Sequence, residues 1–438
     1  MVVEEAPPPE KKSTEIKWSR GLNLDVQGLY YPDKLSPTVG QAHGIVNGEI
    51  NTSLKVGRGF LAKFRPTGHW DPANKSESEQ YWADVPEGYV QARVPLGTGV
   101  TSYTQIGFNT FTWGVIDGYN PVDVVSARRY HDPLRSEKLG AFSLVEKLDF
   151  NSFLIEGIFI PWQRQSRLPG TNSRWLPREL SRDQTIDNTL FRLPAAHTFY
   201  FRDHQEFDNA LSSNYGARLG AKLLGIDFGF YYFNGASAVP ATNLRLTGSV
   251  SALFPGQSPD VIIDADAPIG IRPIFYRNQM FGASLVFPVW ELLVRLEGAQ
   301  TKPDRKAASL PVKTTESVLE LEHTFSGEKQ SLAVIALVTY SDTEDPENQR
   351  SSTSFSRMFD RGVALGLRYQ PLETLSAEAF AVFDTRYGSM LQKLESTLTL
   401  NDMWKAYAGG EIFSGKITTP IGVYRKNDRV WAGVKLAL

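Results

Sequence analysis

The sequence predicts an all-β fold: a transmembrane, antiparallel, up-and-down β-barrel of about 18 strands (16–20), an even number being usual for single-chain bacterial barrels. Three observations carry that expectation. Apolar and polar residues alternate over many strand-length stretches, no apolar run approaches the roughly 18 to 20 residues that a spanning helix needs, and short turns alternate with long polar connections.

The alternation is clearest from Val46. Val46, Gly48, Ile50, Thr52, Leu54 and Val56 make one face, and Asn47, Glu49, Asn51, Ser53 and Lys55 the other. That is a period of two, which fits a strand and not a helix. Tyr215, Ala217, Leu219, Ala221 and Leu223 oppose Gly216, Arg218, Gly220 and Lys222. After the short link Leu224-Gly225 a second apolar face runs through Ile226, Phe228, Phe230 and Tyr232. The same pattern predicts strands at Leu244–Ala252, Leu292–Glu297, Leu319–Glu322, Val363–Gln370, Leu375–Asp384 and Leu394–Leu400. The last, Val430–Leu438, is where a closing strand is expected.

Turns are expected at Gly57-Arg58-Gly59, Phe150-Asn151 and Ser326-Gly327-Glu328. Long connections fall at 161–210, 301–313 and 341–357, the end that faces outward from the cell in such barrels. A soluble propeller or pair of sandwiches also alternates. Strand length, terminal closure and the lack of a propeller-like repeat favour the barrel.

Composition narrows the classes further. Hydrophobic residues make up 41% and charged residues 21%, aromatics reach 12%, and cysteine is absent. Disulfides, thiolate metal sites and a cysteine nucleophile are therefore excluded. A formal net charge of −2 gives no reason to expect a nucleic-acid partner. The start, Met1 to Thr14, lacks a basic region followed by an apolar one, as in the mature form of an exported chain without its signal peptide. Residues 1–17 are expected to form a flexible periplasmic tether and 18–438 the barrel, with a segment around 115–138 folded inward and a long loop around 161–210.

The densest stretch starts at Gln105. An alternating strand runs into Trp113-Gly114, is broken at Asp117-Gly118 and Asn120-Pro121-Val122-Asp123, and passes into a charged run with Arg128, Arg129 and Arg135. Asn120 and Asp123 suit a turn held by side-chain bonds to backbone, and three guanidinium forks suit carboxylate or phosphate groups. Asp117, Asn120, Asp123 and the three arginines are the candidate constriction, with Arg218, Arg245, Arg295 and Arg368 added from wall strands. The other reading is a latch, the arginines pairing with Asp123, Asp132 and Glu137.

Trp113-Gly114 followed by Asn120-Pro121-Val122-Asp123, entered from a strand carrying a Gln and a Gly, resembles the signature of a proteobacterial family of large outer-membrane porins of unassigned substrate. Alginate-export and capsule-binding barrels share a looser version. The resemblance covers Gln105 to Phe150 and the general strand pattern. It implies an outer-membrane pore with an Arg-rich constriction and no catalytic residues. The chain departs from the common barrel terminus by ending in Leu438 and not in an aromatic residue.

A second basic concentration, Arg164, Arg167, Arg174 and Arg178 around Trp175, continues through Arg182, Arg192 and Arg202. In a vestibule it would attract anions or stack on sugar and lipid groups; on a surface loop it would meet lipopolysaccharide phosphates or water. Arg93, Lys222 and Lys435 are further inward candidates, offset by Glu49, Glu297, Glu320, Glu322, Glu378, Glu395 and Glu411, so counting does not settle charge selectivity.

Six histidines are present, and G-x-S-x-G, H-E-x-x-H and phosphate-binding glycine loops are not. No catalytic residue, metal ligand or cofactor is assigned. The function expected is an outer-membrane channel for passive passage of small or elongated solutes, anionic or amphipathic. The alternative is a non-conducting barrel that anchors a surface polymer or scaffolds an envelope complex. The expected partners are the lipid bilayer, lipopolysaccharide, the barrel-assembly machinery, a small-molecule, oligosaccharide or lipid solute, and either further copies of the chain or an envelope complex.

Overall fold

The computed structural model describes residues 15–35, 39–176, 183–186, 189–192, 198–250, 260–264, 267–346, 360–417 and 419–438. Eighteen strands join in one sheet. In chain order they are β1 (Ile16–Tyr30), β2 (Ala42–Val56), β3 (Phe60–Trp70), β4 (Tyr81–Gly97), β5 (Val100–Asn109), β6 (Ala141–Asp149), β7 (Phe153–Trp162), β8 (Ser212–Leu223) and β9 (Ile226–Ala236). They continue as β10 (Arg277–Val289), β11 (Leu292–Pro303), β12 (Lys313–Ser326), β13 (Ser331–Glu344), β14 (Gly362–Leu372), β15 (Leu375–Asp384), β16 (Ser389–Thr399), β17 (Trp404–Ser414) and β18 (Arg429–Ala437). Each pairs antiparallel with the next. The ring closes where β18 meets β1, from Asn23↔Ala437 to Tyr30↔Val430, which leaves the wall no free edge.

The alternation read from the sequence is the alternation of this wall. Leu22, Val26, Ile50, Phe64, Val90, Ile106, Leu144, Phe230, Leu365 and Leu394 are exposed on the outer face, the surface that hydrocarbon solvates in a barrel of this kind. Exposed aromatics lie towards the two ends of the strands: Trp18, Phe60, Phe153, Phe325 and Trp404 at one, Tyr30, Trp70, Tyr81, Trp162 and Tyr340 at the other. The tryptophans and tyrosines among them, with apolar bodies and polar tips, suit a membrane–water boundary. Glu146 also falls on the outer face, and its two carboxylate oxygens accept from Ser102 Oγ (2.5 Å) and Thr104 Oγ1 (2.6 Å). Both hydroxyls thus reduce the penalty of a carboxylate on an otherwise apolar face.

Short turns gather at one end of the ring. Leu224 and Gly225 join β8 to β9 with φ of 54° and 80°, the backbone of a two-residue hairpin turn. Long connections all leave from the opposite end, here called the mouth.

Three sequence expectations need correction. β1 starts at Ile16, so the wall takes in the last residues assigned to the tether; residues 1–14 lie outside the described residues. The stretch read as Leu244–Ala252 is described as far as residue 250, and those residues form no wall strand. Ala241–Arg245 pairs with Ile269–Phe275 and Gly248–Val250 with Asp260–Ile263, both in sheets outside the ring. Alternation there reflects ribbons too short to span a membrane, and it places exposed Arg245 in a mouth connection, away from the pore wall. That connection, between β9 and β10, is accordingly a long one the sequence reading missed.

Candidate functional site: a segment folded into the lumen

The connection between β5 and β6, Thr110–Gly140, turns back into the barrel. Its apolar residues explain why. Phe111, Trp113, Val122 and Val125 are buried against Val145, Ile158, Tyr231, Phe233, Met280 and Ala299 of the inner wall. Further on, Ile116 packs with Val318, Leu337, Ala364 and Val382, on β12–β15. The segment thus reaches from one part of the wall to another. A polar lumen lining would not hold it; each large aliphatic buried this way contributes about 1.5–3 kcal/mol.

The N-P-x-D turn is pinned from within and from the wall. Asn120 Nδ2 donates to the Trp113 carbonyl (2.8 Å), and its Oδ1 accepts from Val122 N (3.2 Å). Glu297, inward on β11, accepts from Val115 N (2.9 Å) and Val122 N (3.2 Å). Tyr119 donates its hydroxyl to Glu316 of β12. The Glu297 carboxylate thereby satisfies two backbone N–H groups that would otherwise be orphaned.

The candidate constriction arginines are each held by acids. Arg128 meets Asp123 at 2.6 Å, and Lys138 meets the same carboxylate at 2.7 Å. Lys138 Nζ also donates to the Phe111 carbonyl (2.8 Å) and Thr112 Oγ1 (2.7 Å). Arg129 bridges Glu137 (2.6 Å) and Asp84 of β4 (3.2 Å) while stacking over Trp82, 3.5 Å from its ring centroid. Arg135 reaches Glu411 of β17 at 3.3 Å and lies over Trp431. Asp132 is taken by Arg429 (2.6 Å).

Of the remaining candidates, Asp117 stands at the tip with its side chain 92% exposed, 3.8 Å from Arg368. Arg295 is clamped by Glu320 and Glu322 on the neighbouring strand. Arg218 faces the lumen from β8 over Tyr231. Lys138, Thr112, Glu297 and Glu316 were not singled out from sequence as constriction residues. Of these, only Glu297 was read from the sequence as facing inward.

The loop arginines sit differently from one another. Arg174 is buried and donates to the carbonyls of Asp33 (2.9 Å), Gly40 (3.2 Å) and Lys426 (2.7 Å). Trp175 beside it packs on Phe413 and Tyr424. Together they dock the loop onto the barrel mouth. Arg164 pairs with Asp84 at 2.5 Å, and Arg167 bonds through its backbone to Arg128 and Tyr130. Arg178 and Arg182 lie outside the described residues.

Two titratable groups at the mouth, Glu79 buried and His131 half-buried, act in opposite senses. Burial pushes the Glu79 carboxyl up to about 7, although Gly170 N donates to it at 2.7 Å. The folded state therefore binds the extra proton between roughly pH 4.5 and 7, and this group's contribution to stability falls as pH rises through that window. Burial first, then the charge of Arg129, pushes His131 down to about 3. Its contribution is lost as pH falls from about 6.5 towards 3. The two slopes oppose each other between pH 4.5 and 6.5. We expect the protection factors of amides across 168–176, which are corrected for the intrinsic pH dependence of exchange, to fall from pH 6 to pH 8 in the wild type and to stay level in Glu79→Gln; an equal fall in both would remove Glu79 as the cause.

No family model matches the sequence, and no curated protein matches it. Among solved structures, the chain is similar to a loop L8 deletion mutant of OmpT, an outer membrane protein of Vibrio cholerae. Identity is 9%, the TM-score 0.41, and the match covers 97% of this chain and 99% of that one. It is also similar to a triple mutant of the Rhodopseudomonas blastica porin, at 12% identity and TM-score 0.40, covering 97% and 100%.

Proposed function

We propose that the chain is a non-enzymatic outer-membrane channel for passive passage of small or elongated solutes, anionic or amphipathic, with Thr110–Gly140 as its constriction. The supporting observation is a pair of cavities on the two sides of that segment. One, of about 690 Å³, is lined by Ile116, Tyr119, Tyr130, Arg135 and Lys393 among others. The other, of about 790 Å³, is lined by Asn47, Arg65, Trp82 and Lys435. Thr112 and Lys138 line both, so a solute crossing from one to the other passes these two side chains. The apolar outer face with its two aromatic girdles supports insertion in a bilayer, with the mouth outward and in reach of lipopolysaccharide.

One set of contacts favours the second reading, a non-conducting binding or scaffold barrel. Arg128, Arg129 and Lys138 are spent on internal ion pairs, as the parts of a plug would be. Single-channel recording in planar bilayers decides between the two. A steady wild-type conductance, raised severalfold when Trp113–Val124 is replaced by a short glycine linker, supports the channel. A silent wild type whose linker variant conducts means a plugged barrel.

A further inference from the structure

The cations that could select a solute are not those of the constriction. Along one register row of the inner wall stand Arg93 on β4, Tyr103 on β5, Lys147 on β6, Glu156 on β7 and Arg218 on β8. Neighbouring strands are about 4.8 Å apart, so alternate strands set the three cations roughly 10 Å apart along the wall. Among the described residues none of the three has a carboxylate within ion-pair distance, although Glu156 is the direct cross-strand partner of both Lys147 and Arg218. The Glu156 carboxylate instead accepts from the Trp113 indole N–H at 3.0 Å. Arg218 Nε is buried without a hydrogen-bond partner, while Arg93 and Arg218 lie over the rings of Tyr103 and Tyr231.

We propose that Arg93, Lys147 and Arg218 form an anion-binding site on the inner wall, on the short-turn side of Trp113, for solutes carrying a phosphate or carboxylate group. Three inward cations face one acid in this row, and that acid is drawn towards the segment. An arriving oxyanion supplies the acceptors that the guanidinium forks and the ammonium lack. The low-dielectric wall makes such a group a stronger attractor than the matched pairs of the constriction. Trp113 links the two regions, since its indole holds the one carboxylate that would otherwise compete for the site.

The site deepens the channel reading and rests on it for transport, but it can be tested apart from it. In a KCl gradient the wild-type chain is expected to prefer chloride. The Arg93→Gln, Lys147→Gln, Arg218→Gln variant should lose most of that preference, whereas Lys329→Gln, in the exposed turn between β12 and β13, should keep it. Inorganic phosphate should reduce the wild-type chloride current, and the triple variant should need at least about fivefold more phosphate for the same reduction. Line broadening of the phosphorus resonance of inorganic phosphate, on the chain in lipid nanodiscs, reads binding without conductance. Broadening by the wild type and not by the triple variant supports the site even if the barrel proves silent, in which case the channel reading alone fails. Equal broadening by both, or none by either, overturns the site whatever the conductance.

Discussion

Gly114→Val frees the inward segment and raises the conductance of the barrel severalfold, with the wall itself left standing. Gly114 has φ of +93°, a region that a β-branched residue enters only under strain of about 1–3 kcal/mol. A Cβ built there falls within 2.5 Å of Glu297 Oε2 and of the Asn120 amide. These groups hold the N-P-x-D turn, so the clash and the loss of the turn are one event. Limited proteolysis should cut within Thr110–Gly140 in the variant and spare the wild type, while far-ultraviolet circular dichroism keeps its strand signal. Protease resistance and conductance both unchanged would mean that this glycine does not hold the segment.

Arg429→Met is the second large effect, and it acts on stability. Arg429 is almost wholly buried. It meets Glu411 through Nε (2.7 Å) and Nη2 (2.5 Å) and Asp132 through Nη1 (2.6 Å), and lies over the rings of Trp175 and Trp431. One side chain thereby ties two wall strands, the inward segment and the docked mouth loop. Removing it strands two carboxylates, of which Glu411 alone keeps Arg135. Breaking a buried pair on one side costs about 3–5 kcal/mol, to be read as a fall in the urea midpoint. The double variant with Asp132→Asn should recover part of that loss, because one unpaired charge disappears with its partner. Strictly additive losses would mean that the two residues do not act as a pair.

How much of this was legible beforehand follows from the range of the interactions. Strand faces, the hairpin at Leu224-Gly225 and the inward turn at Asn120–Asp123 are set by neighbours in sequence, and alternation and turn chemistry reveal them. Partners of the arginines are set by the ring. Arg129 finds Asp84 across 45 residues and Arg135 finds Glu411 across 276, and no local pattern announces either. Arg174 and Trp175 read as part of a basic and aromatic ladder in a vestibule or on a surface loop, yet both are buried, because carbonyls of the β1–β2 and β17–β18 connections close over them. The mistaken strand at Leu244–Ala252 shows the converse: a two-residue period marks any ribbon with one wet face, and only length and pairing show whether it lies in the wall.

The inward segment leaves and rejoins the ring at adjacent, mutually bonded strands, β5 and β6. Its removal therefore breaks no rung of the ladder, and the ring need not part for it to swing. The filling of the lumen and the architecture of the wall are in this way separable properties of the chain. A change confined to this one connection can therefore alter what fills the lumen, while the eighteen-strand wall, its girdles and its closing seam stand as they are.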